Sequence, residues 1–307
     1  MRDAFVTALT EIARKDKNVM LLTGDLGFGV LTGFASEFPE QYLNVGVAEQ
    51  NMTGLATGMA LAGKTVFTYS ICNFPTLRCL EQIRNDVCYH NANVKIVSIG
   101  GGFCYGPLGM THHATEDLAV MRSIPNLIVV APGDTVETML ATRAICELKG
   151  PCYLRLGRGG EPKVYGALPE FVLGKAINVV FGDAAAILSI GGILSNVLRA
   201  HEILKKRGID TSVYSFHTLC PIDQKLVEDL ARDSRLIITV EEHSIIGGLG
   251  GAVAEILAEI RGVKAQLIRI GTDGNFCSKV GDQEYLRGLY GLDSASIAKK
   301  IQTALLK

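Results

Sequence analysis

Short apolar runs alternate with longer amphipathic segments along the first half of the chain. The runs have the length and the β-branched content of buried strands, and the segments between them are long enough for helices. The predicted strands are VMLLTG (19–24), TVFTYS (65–70), VKIVSIG (94–100), LIVVAPG (127–133) and CYLRLG (152–157). This alternation predicts a mainly parallel sheet covered by helices.

Both periodicities are lost between residues 161 and 174, where proline and glycine become frequent, so we predict a linker there. The alternation then restarts. The second set of predicted strands is AILSIG (186–191), TSVYSF (211–216), RLIITVEE (235–242) and AQLIRIG (265–271). We therefore predict an α/β fold with two domains, residues 1–160 and 175–307, each a mainly parallel sheet covered by helices.

Composition agrees with two globular domains and limits the classes of partner that the chain is expected to bind. The 307 residues exceed the usual size of one domain, and 48% of them are hydrophobic. Thirty basic and 31 acidic side chains leave no basic surface for nucleic acid. No apolar stretch is long enough for a membrane span, and the eight cysteines lack a C-x-x-C pair. We expect a cytoplasmic protein that binds neither nucleic acid nor membrane.

The most informative segment is NVGVAEQNMTGLATGMALAG (44–63), in which Glu49 stands at a helix start and small residues recur along the helix. The small residues allow another backbone to approach closely. One interpretation makes Glu49 a first-turn acid, which the helix dipole favours by about 0.3–1 kcal/mol. The other makes it a functional carboxylate, and the residues alone leave both open.

This segment resembles the glutamate motif in the pyrimidine-binding domain of the transketolase family, which also includes 1-deoxyxylulose-5-phosphate synthases and the β subunits of 2-oxo acid dehydrogenases. The similarity continues in family order through EQIRNDV (81–87), GMTHHATEDLAVMRSIPNLIVVAPGD (109–134), RLGRG (155–159), PID (221–223) and TVEEHSIIGGLGGAVAE (239–255). The resemblance implies thiamine diphosphate as cofactor. It also implies that Glu49 binds N1′ of the aminopyrimidine and promotes removal of the thiazolium proton.

The resemblance further implies which residues contact the cofactor. In YSICNFPTLR (69–78), Phe74 matches an aromatic residue that packs on the pyrimidine ring, while two neighbouring aromatic positions of the family are aliphatic. Tyr69 would compensate for that reduced platform, and Arg78 and Asp25 are also expected at the cofactor. A plain core position for Phe74 is the alternative.

Three further residues are expected to face the substrate. His112 matches the family histidine at the reaction centre, where it stabilises an oxyanion or moves protons, and His113 stands beside it. The two are not predicted to hold a metal, because adjacent side chains diverge and no third ligand is spaced to join them. Arg158 matches an arginine that binds phosphate, and an interdomain salt bridge is its alternative role.

Two departures from the family pattern concern the substrate. Leu108 stands where relatives carry an acidic residue that contacts sugar hydroxyls, and the run Gly100, Gly101, Gly102 stands where relatives carry a histidine or arginine for phosphate. These changes suggest an atypical carbonyl acceptor, either less polar or with its charge elsewhere, with Leu108 as part of its pocket.

The family binds the diphosphate and its Mg²⁺ through a G-D-G motif followed by asparagine, and this sequence has no such pair at the required spacing. We therefore expect no metal ligands here and a separate N-terminal subunit that supplies them, in an α2β2 heterotetramer with paired C-terminal subunits. The loop GGLGGA (247–252) departs from G-x-G-x-x-G and has no acid at the required distance, so it does not indicate NAD.

Three functions remain open. The first is transfer of a two-carbon ketol unit from a ketose or ketose phosphate to an aldehyde. The second is decarboxylation of a 2-oxo acid with acyl transfer, as in the synthase and dehydrogenase relatives. The third is a non-catalytic scaffold subunit.

Overall fold

The computed structural model describes residues 1–306 and contains one sheet of seven strands and one of five. The strands are β1 (Val19–Thr23), β2 (Tyr42–Asn44), β3 (Thr65–Ile71), β4 (Val94–Ile99), β5 (Ile128–Val130), β6 (Cys152–Leu156), β7 (Ile177–Val180), β8 (Ala186–Ile190), β9 (Ser212–Ser215), β10 (Thr218–Cys220), β11 (Leu236–Ser244) and β12 (Gln266–Thr272). The helices are α1 (Arg2–Ala13), α2 (Thr32–Glu37), α3 (Glu49–Leu61), α4 (Leu80–Gln82), α5 (Asp117–Arg122), α6 (Thr135–Glu147), α7 (Leu194–Lys205), α8 (Gln224–Asp233), α9 (Leu249–Glu259), α10 (Gln283–Tyr290) and α11 (Ser294–Leu305).

The predicted fold class is confirmed, and every predicted apolar run forms a strand. The first sheet has the order β10-β5-β6-β4-β3-β1-β2 and the second has the order β12-β11-β8-β9-β7. All neighbouring strands are parallel except the pairs β10–β5 and β7–β9. The strands β2, β7 and β10, which have three or four residues each, were not predicted.

The two halves of the chain pack against each other and exchange one strand. Strand β10 follows the predicted linker but pairs with β5 of the first sheet. One hydrophobic cluster runs through both halves, from Met52 on α3 to Val253 on α9. A prediction based on periodicity could not find this exchange, because strand partners far apart in sequence leave no local signal.

The segment between the sheets is held in place by α6. Asp134 caps α6 by accepting a hydrogen bond from the Glu137 backbone N–H at 2.8 Å, and its other oxygen accepts one from Val164 N–H at 2.8 Å. The Tyr165 hydroxyl donates to the Glu137 carboxylate at 2.5 Å. These bonds fix the segment against the first sheet.

Buried ion pairs lie where the two halves meet. Arg155 on β6 donates from Nε to Asp117 at 2.8 Å and from Nη2 to the carbonyl of Glu242 at 3.1 Å. Arg287 on α10 pairs with the Glu242 carboxylate, with Nε at 2.8 Å. Because an unpaired buried charge is costly, these contacts specify one relative position of the two sheets.

Helices cover both faces of the first sheet. Helices α1 and α6 pack on one face around Phe5 and Ile145, and α3 packs on the other around Met52. The loops that follow β1, β3 and β4 leave the sheet at the same end, since these strands are parallel. No helix within residues 1–306 is long and apolar enough to cross a membrane.

Glu241 is a buried carboxylate whose protonation should make the stability of the folded chain depend on pH. It accepts hydrogen bonds from Leu249 and Gly250 N–H, each at 2.8 Å, at the start of α9. Burial nevertheless raises the pKa of Glu241 to about 7, so the folded chain binds this proton more tightly than the unfolded chain does. The resulting stabilisation is complete at pH values below the ordinary carboxyl range and is lost as the pH rises through 7.

Glutamine resembles the protonated form of glutamate. We therefore expect the Glu241→Gln variant not to lose stability over this pH range. Between about pH 4.5 and pH 7, the wild-type free energy of unfolding should fall relative to that of the variant by about 1.4 kcal/mol per pH unit. Urea unfolding of both proteins across this range measures the difference. A difference that stays constant with pH would contradict the expectation.

Candidate active site

Glu49 is a nearly buried carboxylate at the first position of α3, after Ala48. Only 2% of the residue is exposed. One carboxylate oxygen, Oε2, accepts a hydrogen bond from Arg78 Nη1 at 2.6 Å. A Cβ atom added to Gly24, after β1, would lie 3.4 Å from Glu49 Cγ, so the β1 loop closes over the glutamate. The start of α3 therefore presents a single, oriented carboxylate beside a half-exposed guanidinium.

Phe74 and His112 extend this site in a continuous series of contacts. The Arg78 guanidinium carbon lies 4.7 Å from the centre of the Phe74 ring, a cation–π distance. The His112 ring meets Phe74 edge-on, with 5.3 Å between centroids. The structure thus brings together Glu49, Arg78, Phe74 and His112 from the start of α3, the loop after β3 and the loop before α5.

Asn73 holds the histidine loop in place and was not singled out from the sequence. Its Nδ2 donates to the carbonyls of Thr111 at 3.1 Å and His113 at 2.8 Å. Thr111 Oγ1 lies 3.0 Å from His112 Nδ1. An amide next to Phe74 in the family segment was a signal available in the sequence, but only the fold shows which loop it binds.

The two histidines have different environments. Burial lowers the pKa of His112, with a smaller contribution from the neighbouring His113, so its imidazole is neutral at pH 7. His113 is 4% exposed, and its Nε2 donates to the carbonyl of Gly106 at 3.1 Å. Its Nδ1 has no partner within residues 1–306. His112 is therefore the more exposed of the two, and His113 supports the loop through Gly106.

Asp25 lies in a strained turn after β1. Its φ of 59° is in the left-handed region, and its carboxylate accepts a hydrogen bond from Asn44 Nδ2 at 3.0 Å. Asn44 Oδ1 in turn accepts bonds from the backbone N–H groups of Asp25 and Gly46, each at 3.0 Å. Asn44, which the sequence did not identify, joins the ends of β1 and β2 next to Glu49.

Tyr69 does not join this group. Its side chain lies on the face of β3 that packs against α1, with its ring 6.2 Å from that of Phe5, whereas α3 covers the opposite face. Successive side chains on a strand point to opposite faces, so the position of Tyr69 in the register decides this. Its predicted role in an aromatic platform with Phe74 is not supported by this placement.

The run Gly100 to Gly102 has a packing reason that the sequence pattern did not reveal. A Cβ atom on Gly101 would lie 2.6 Å from Arg155, and one on Gly102 would lie 2.6 Å from Glu242. Both of these close contacts are with side chains of the buried ion pairs between the sheets. At Gly100, with a φ of 93°, a Cβ would lie 2.2 Å from the ring of Tyr105.

Leu108 and Arg158 lie at the surface near the histidines. Leu108 is 55% exposed and ends a short 3-10 turn that begins at Gly106. Arg158 is exposed, and its guanidinium carbon lies 5.5 Å from the Tyr105 ring centre. The interdomain arginine is Arg155 rather than Arg158, so the salt-bridge alternative for Arg158 is not supported.

A cleft of about 280 Å³ opens beside Phe74 and Arg78. The second half of the chain forms part of its wall through Phe276 and Cys277. His113 also lines it, and the buried Oδ1 of Asn73 there has no hydrogen-bond partner among residues 1–306. The site therefore continues into a space with both aromatic and polar walls.

These residues fit an aminopyrimidine ring. Such a ring offers nitrogen atoms to a carboxylate and a flat face to an aromatic side chain. Glu49 supplies a buried acceptor with only one of its oxygens engaged by Arg78, and Phe74 supplies an aromatic face nearby. Within residues 1–306, no three His, Cys, Asp or Glu side chains are arranged to hold a metal ion.

Comparison with known proteins gives the same family in both halves of the chain. Residues 1–162 match the transketolase pyrimidine-binding domain and residues 174–297 match the transketolase C-terminal domain. A putative transketolase C-terminal section from Methanocaldococcus jannaschii is 42% identical, with 100% of this chain and 96% of that protein covered. One of the subunits of the apulose-4-phosphate transketolase from Phocaeicola vulgatus is 37% identical, with coverage of 97% and 95%.

A solved structure agrees with these sequence matches. It is described as a split gene transketolase in an inactive β4 tetramer, and it superimposes with a TM-score of 0.88 at 35% identity. The match covers 99% of this chain and 97% of the other. The chain therefore belongs to the transketolase family and consists of its pyrimidine-binding and C-terminal domains.

Proposed function

We propose that this chain is the pyrimidine-binding subunit of a two-subunit, thiamine-diphosphate-dependent transketolase. The observation that carries the proposal is the buried Glu49 carboxylate, oriented by Arg78 and next to Phe74. A carboxylate held out of water at a helix start, beside an aromatic face, can bind a ring nitrogen and exchange a proton with it. Family membership supports the same assignment.

In this proposal the cofactor supplies the nucleophilic carbon, and the chain positions it and manages protons. Glu49 binds the ring nitrogen of the pyrimidine and holds a proton there. Phe74 packs against the ring, Arg78 orients Glu49, and Asp25 contributes from the neighbouring turn. The divalent metal and the diphosphate are assigned to the partner subunit.

His112 serves the substrate side of the reaction. Its neutral imidazole can donate a hydrogen bond to a developing oxyanion or accept a proton from a substrate hydroxyl. The edge-on contact with Phe74 and the Thr111 hydroxyl fix the ring orientation. We assign Arg158 and Leu108, both exposed, to the substrate side as well.

The exposed face of α3 supports a partner subunit. Glu49 is the only charged residue of α3 and is buried, while Leu55 and Leu61 are exposed. A Cβ atom on Gly54 or Gly58 would meet nothing within 4 Å, so another helix can approach closely there. The exposed positions of α3 carry no charge, and we assign this surface to the N-terminal subunit in an α2β2 assembly.

The names of the relatives support the split assembly. One is a C-terminal section, one is named as a subunit of a transketolase, and the solved structure is a split gene product whose β4 form is inactive. We infer that this chain self-associates without its partner and gains activity with it. Unpaired cysteines throughout the fold are consistent with the reducing conditions of the cytoplasm.

The reaction we favour is transfer of a ketol unit from a ketose or ketose phosphate to an aldehyde. The apulose-4-phosphate relative indicates that close family members act on sugars outside the common set. Carbon dioxide release from a 2-oxo acid by the assembled enzyme would instead favour the decarboxylating alternative. Turnover of xylulose 5-phosphate and ribose 5-phosphate with typical efficiency would contradict an atypical substrate.

Calorimetric titration with thiamine diphosphate and Mg²⁺ tests the split site. We expect weak binding by this chain alone, weak binding by the N-terminal subunit alone, and tight binding by the mixture. Glu49→Ala should weaken binding to the mixture, because the ring nitrogen loses the carboxyl group with which it shares a proton. Tight binding by this chain alone would refute the split site, and no binding by the mixture would favour a scaffold role.

A further inference from the structure

The backbone on both sides of His112 is held by one side chain from another loop. Asn73 Nδ2 donates hydrogen bonds to the carbonyl of Thr111 at 3.1 Å and to the carbonyl of His113 at 2.8 Å. Among residues 1–306, no other group donates to either carbonyl. Since both partners are acceptors, only the amide nitrogen can face them, which fixes the orientation of the Asn73 side chain.

The stretch 110–113 has no other hydrogen-bonded attachment to a distant segment. Met110 and Thr111 are exposed, and the N–H groups of the two histidines donate only within the loop, to the carbonyls of Gly109 and Met110. The buried anchors of the loop begin at Ala114, whose carbonyl accepts a hydrogen bond from Arg155 Nη2 at 2.8 Å. Within the described chain, the hydrogen bonds that join 110–113 to a segment outside the connection from β4 to α5 therefore all come from Asn73.

Asn73 itself stands on a firm support at the end of β3. The Cys72 N–H donates to the carbonyl of Ile99 at 2.9 Å, next to the last pair of β3 and β4, and the Cys72 side chain is fully buried. The Phe74 N–H donates to the carbonyl of Ile71 at 2.8 Å. Because both neighbours of Asn73 are hydrogen-bonded, the end of the strand determines where its side chain points.

Phe74, the next residue, contacts the imidazole itself. Its ring meets that of His112 edge-on, with 5.3 Å between centroids. Asn73 and Phe74 thus hold the backbone and the side chain of the same histidine, beside the cleft of about 280 Å³ that they both line. Catalysis is sensitive to such placement, since a shift of a reacting group by about 1 Å costs about 10²-fold in rate.

We propose that Asn73 is a positioning residue, whose two hydrogen bonds hold the His112 imidazole in place on the substrate side of the site. This inference rests on the proposed function, in which His112 donates a hydrogen bond to the substrate or accepts a proton from it. Asn73 acts on the reaction through His112. Cofactor affinity should not depend on it, because neither Glu49 nor Arg78 is hydrogen-bonded to Asn73 within residues 1–306.

Asn73→Asp tests this role with little change in size. The carboxylate has no donor, and its oxygens repel the two carbonyl groups that the amide nitrogen binds. We expect kcat of the assembled, cofactor-loaded complex to fall by about 10²-fold. The affinity for thiamine diphosphate, measured by calorimetry, should stay unchanged. A variant with wild-type kcat would contradict the proposal.

A double-mutant cycle with His112→Ala distinguishes positioning from a general structural role. When the imidazole is absent, loss of the Asn73 bonds has no reacting group to misplace. Asn73→Asp should therefore lower kcat by less than about threefold in the His112→Ala background. A loss of about 10²-fold in that background as well would show that Asn73 does not act through His112.

Hydrogen exchange gives a readout that does not depend on turnover. Asn73→Ala removes both donors without adding a charge, and it also serves if the aspartate variant does not fold. In the assembled complex, amide exchange of residues 110–113 should become at least about tenfold faster, and exchange in the rest of the chain should be unchanged. Mass spectrometry of the peptides that cover 110–113 measures this rate. Exchange at the wild-type rate would remove the basis of the proposal.

Asn126→Asp is the matched control. Asn126 Nδ2 also donates to a carbonyl, that of Cys88, at 3.1 Å, and neither residue contacts the site. Aspartate tolerates the left-handed backbone at this position, where φ is 67°. This variant should keep wild-type kcat and wild-type exchange of residues 110–113. An equal loss of kcat in the control would mean that the effect is not specific to Asn73.

The results for the wild-type complex separate this inference from the proposed function. If the complex binds cofactor and turns over substrate, but the Asn73 variants keep wild-type kcat, only the role of Asn73 is overturned. Faster exchange of 110–113 without a loss of kcat has the same meaning, because Asn73 would then order the loop without positioning a reacting group. A wild-type complex that binds no cofactor would overturn the proposed function and this inference with it.

Discussion

Replacing Glu49 by glutamine is expected to lower kcat of the assembled enzyme by about 10²- to 10⁴-fold, the range for loss of a positioned acid–base group. Glutamine keeps the shape of the side chain and can still accept the hydrogen bond from Arg78. It cannot take up and return a proton at the pyrimidine nitrogen. The effect should therefore fall on kcat and cofactor affinity, with little change in substrate KM.

The stability of the Glu49→Gln variant is expected to stay near that of the wild type. The only hydrogen-bonding partner of the Glu49 carboxylate in residues 1–306 is Arg78, whose side chain is 46% exposed and remains solvated. Glu40→Gln is the matched control, because Glu40 is an exposed carboxylate of the same half and should leave kcat unchanged. A Glu49→Gln enzyme within tenfold of wild-type kcat, with cofactor bound, would remove Glu49 from the acid–base role.

Gly58→Leu is expected to weaken assembly while leaving the isolated chain folded. A Cβ atom added at Gly58 meets nothing within 4 Å in this chain, so the leucine side chain starts out into the space assigned to the partner. Overpacking of a close helix contact costs about 1–3 kcal/mol, which corresponds to roughly 5- to 150-fold weaker association with the N-terminal subunit. Sedimentation velocity of the mixture, with activity measured at the same concentrations, gives the dissociation constant.

The free energy of unfolding of the isolated Gly58→Leu chain should rise, although its association with the partner weakens. Replacing an exposed helical glycine removes backbone entropy from the unfolded chain, so unfolding should cost about 0.5–1 kcal/mol more. Gly288→Leu is the matched control, because Gly288 lies in α10, is exposed and also has nothing within 4 Å of an added Cβ. It should stabilise the chain without affecting association. Equal association by the Gly58 and Gly288 variants would show that α3 is not the docking helix.

The site residues differ in how far the sequence could identify them. Glu49, Phe74, Arg78 and His112 follow from matches to family motifs, and the structure brings the four together. Asn73 and Asn44 act through hydrogen bonds to backbone groups of other loops, and such bonds leave no sequence pattern. They could be found only when the loops were placed in space.

The run Gly100 to Gly102 shows that close packing contacts cannot be predicted from the sequence either. From the sequence, Gly100 to Gly102 indicated only the loss of a side chain that relatives carry. The structure shows that three different side chains, Tyr105, Arg155 and Glu242, occupy the space that a Cβ would need. A close approach is a property of two segments, so neither segment reveals it by itself.

The sequence by itself determined the fold class, nine of the twelve strands and the family, because periodicity and motif order are local properties of the chain. The tertiary structure decided that β10 crosses to the first sheet, that Tyr69 faces away from Glu49, and that Tyr105 stands between His112 and Arg158. Each of these depends on strand partners, sheet faces or loop contacts between residues far apart in sequence. The free energies of these three arrangements are set by packing between segments, which local periodicity does not reveal.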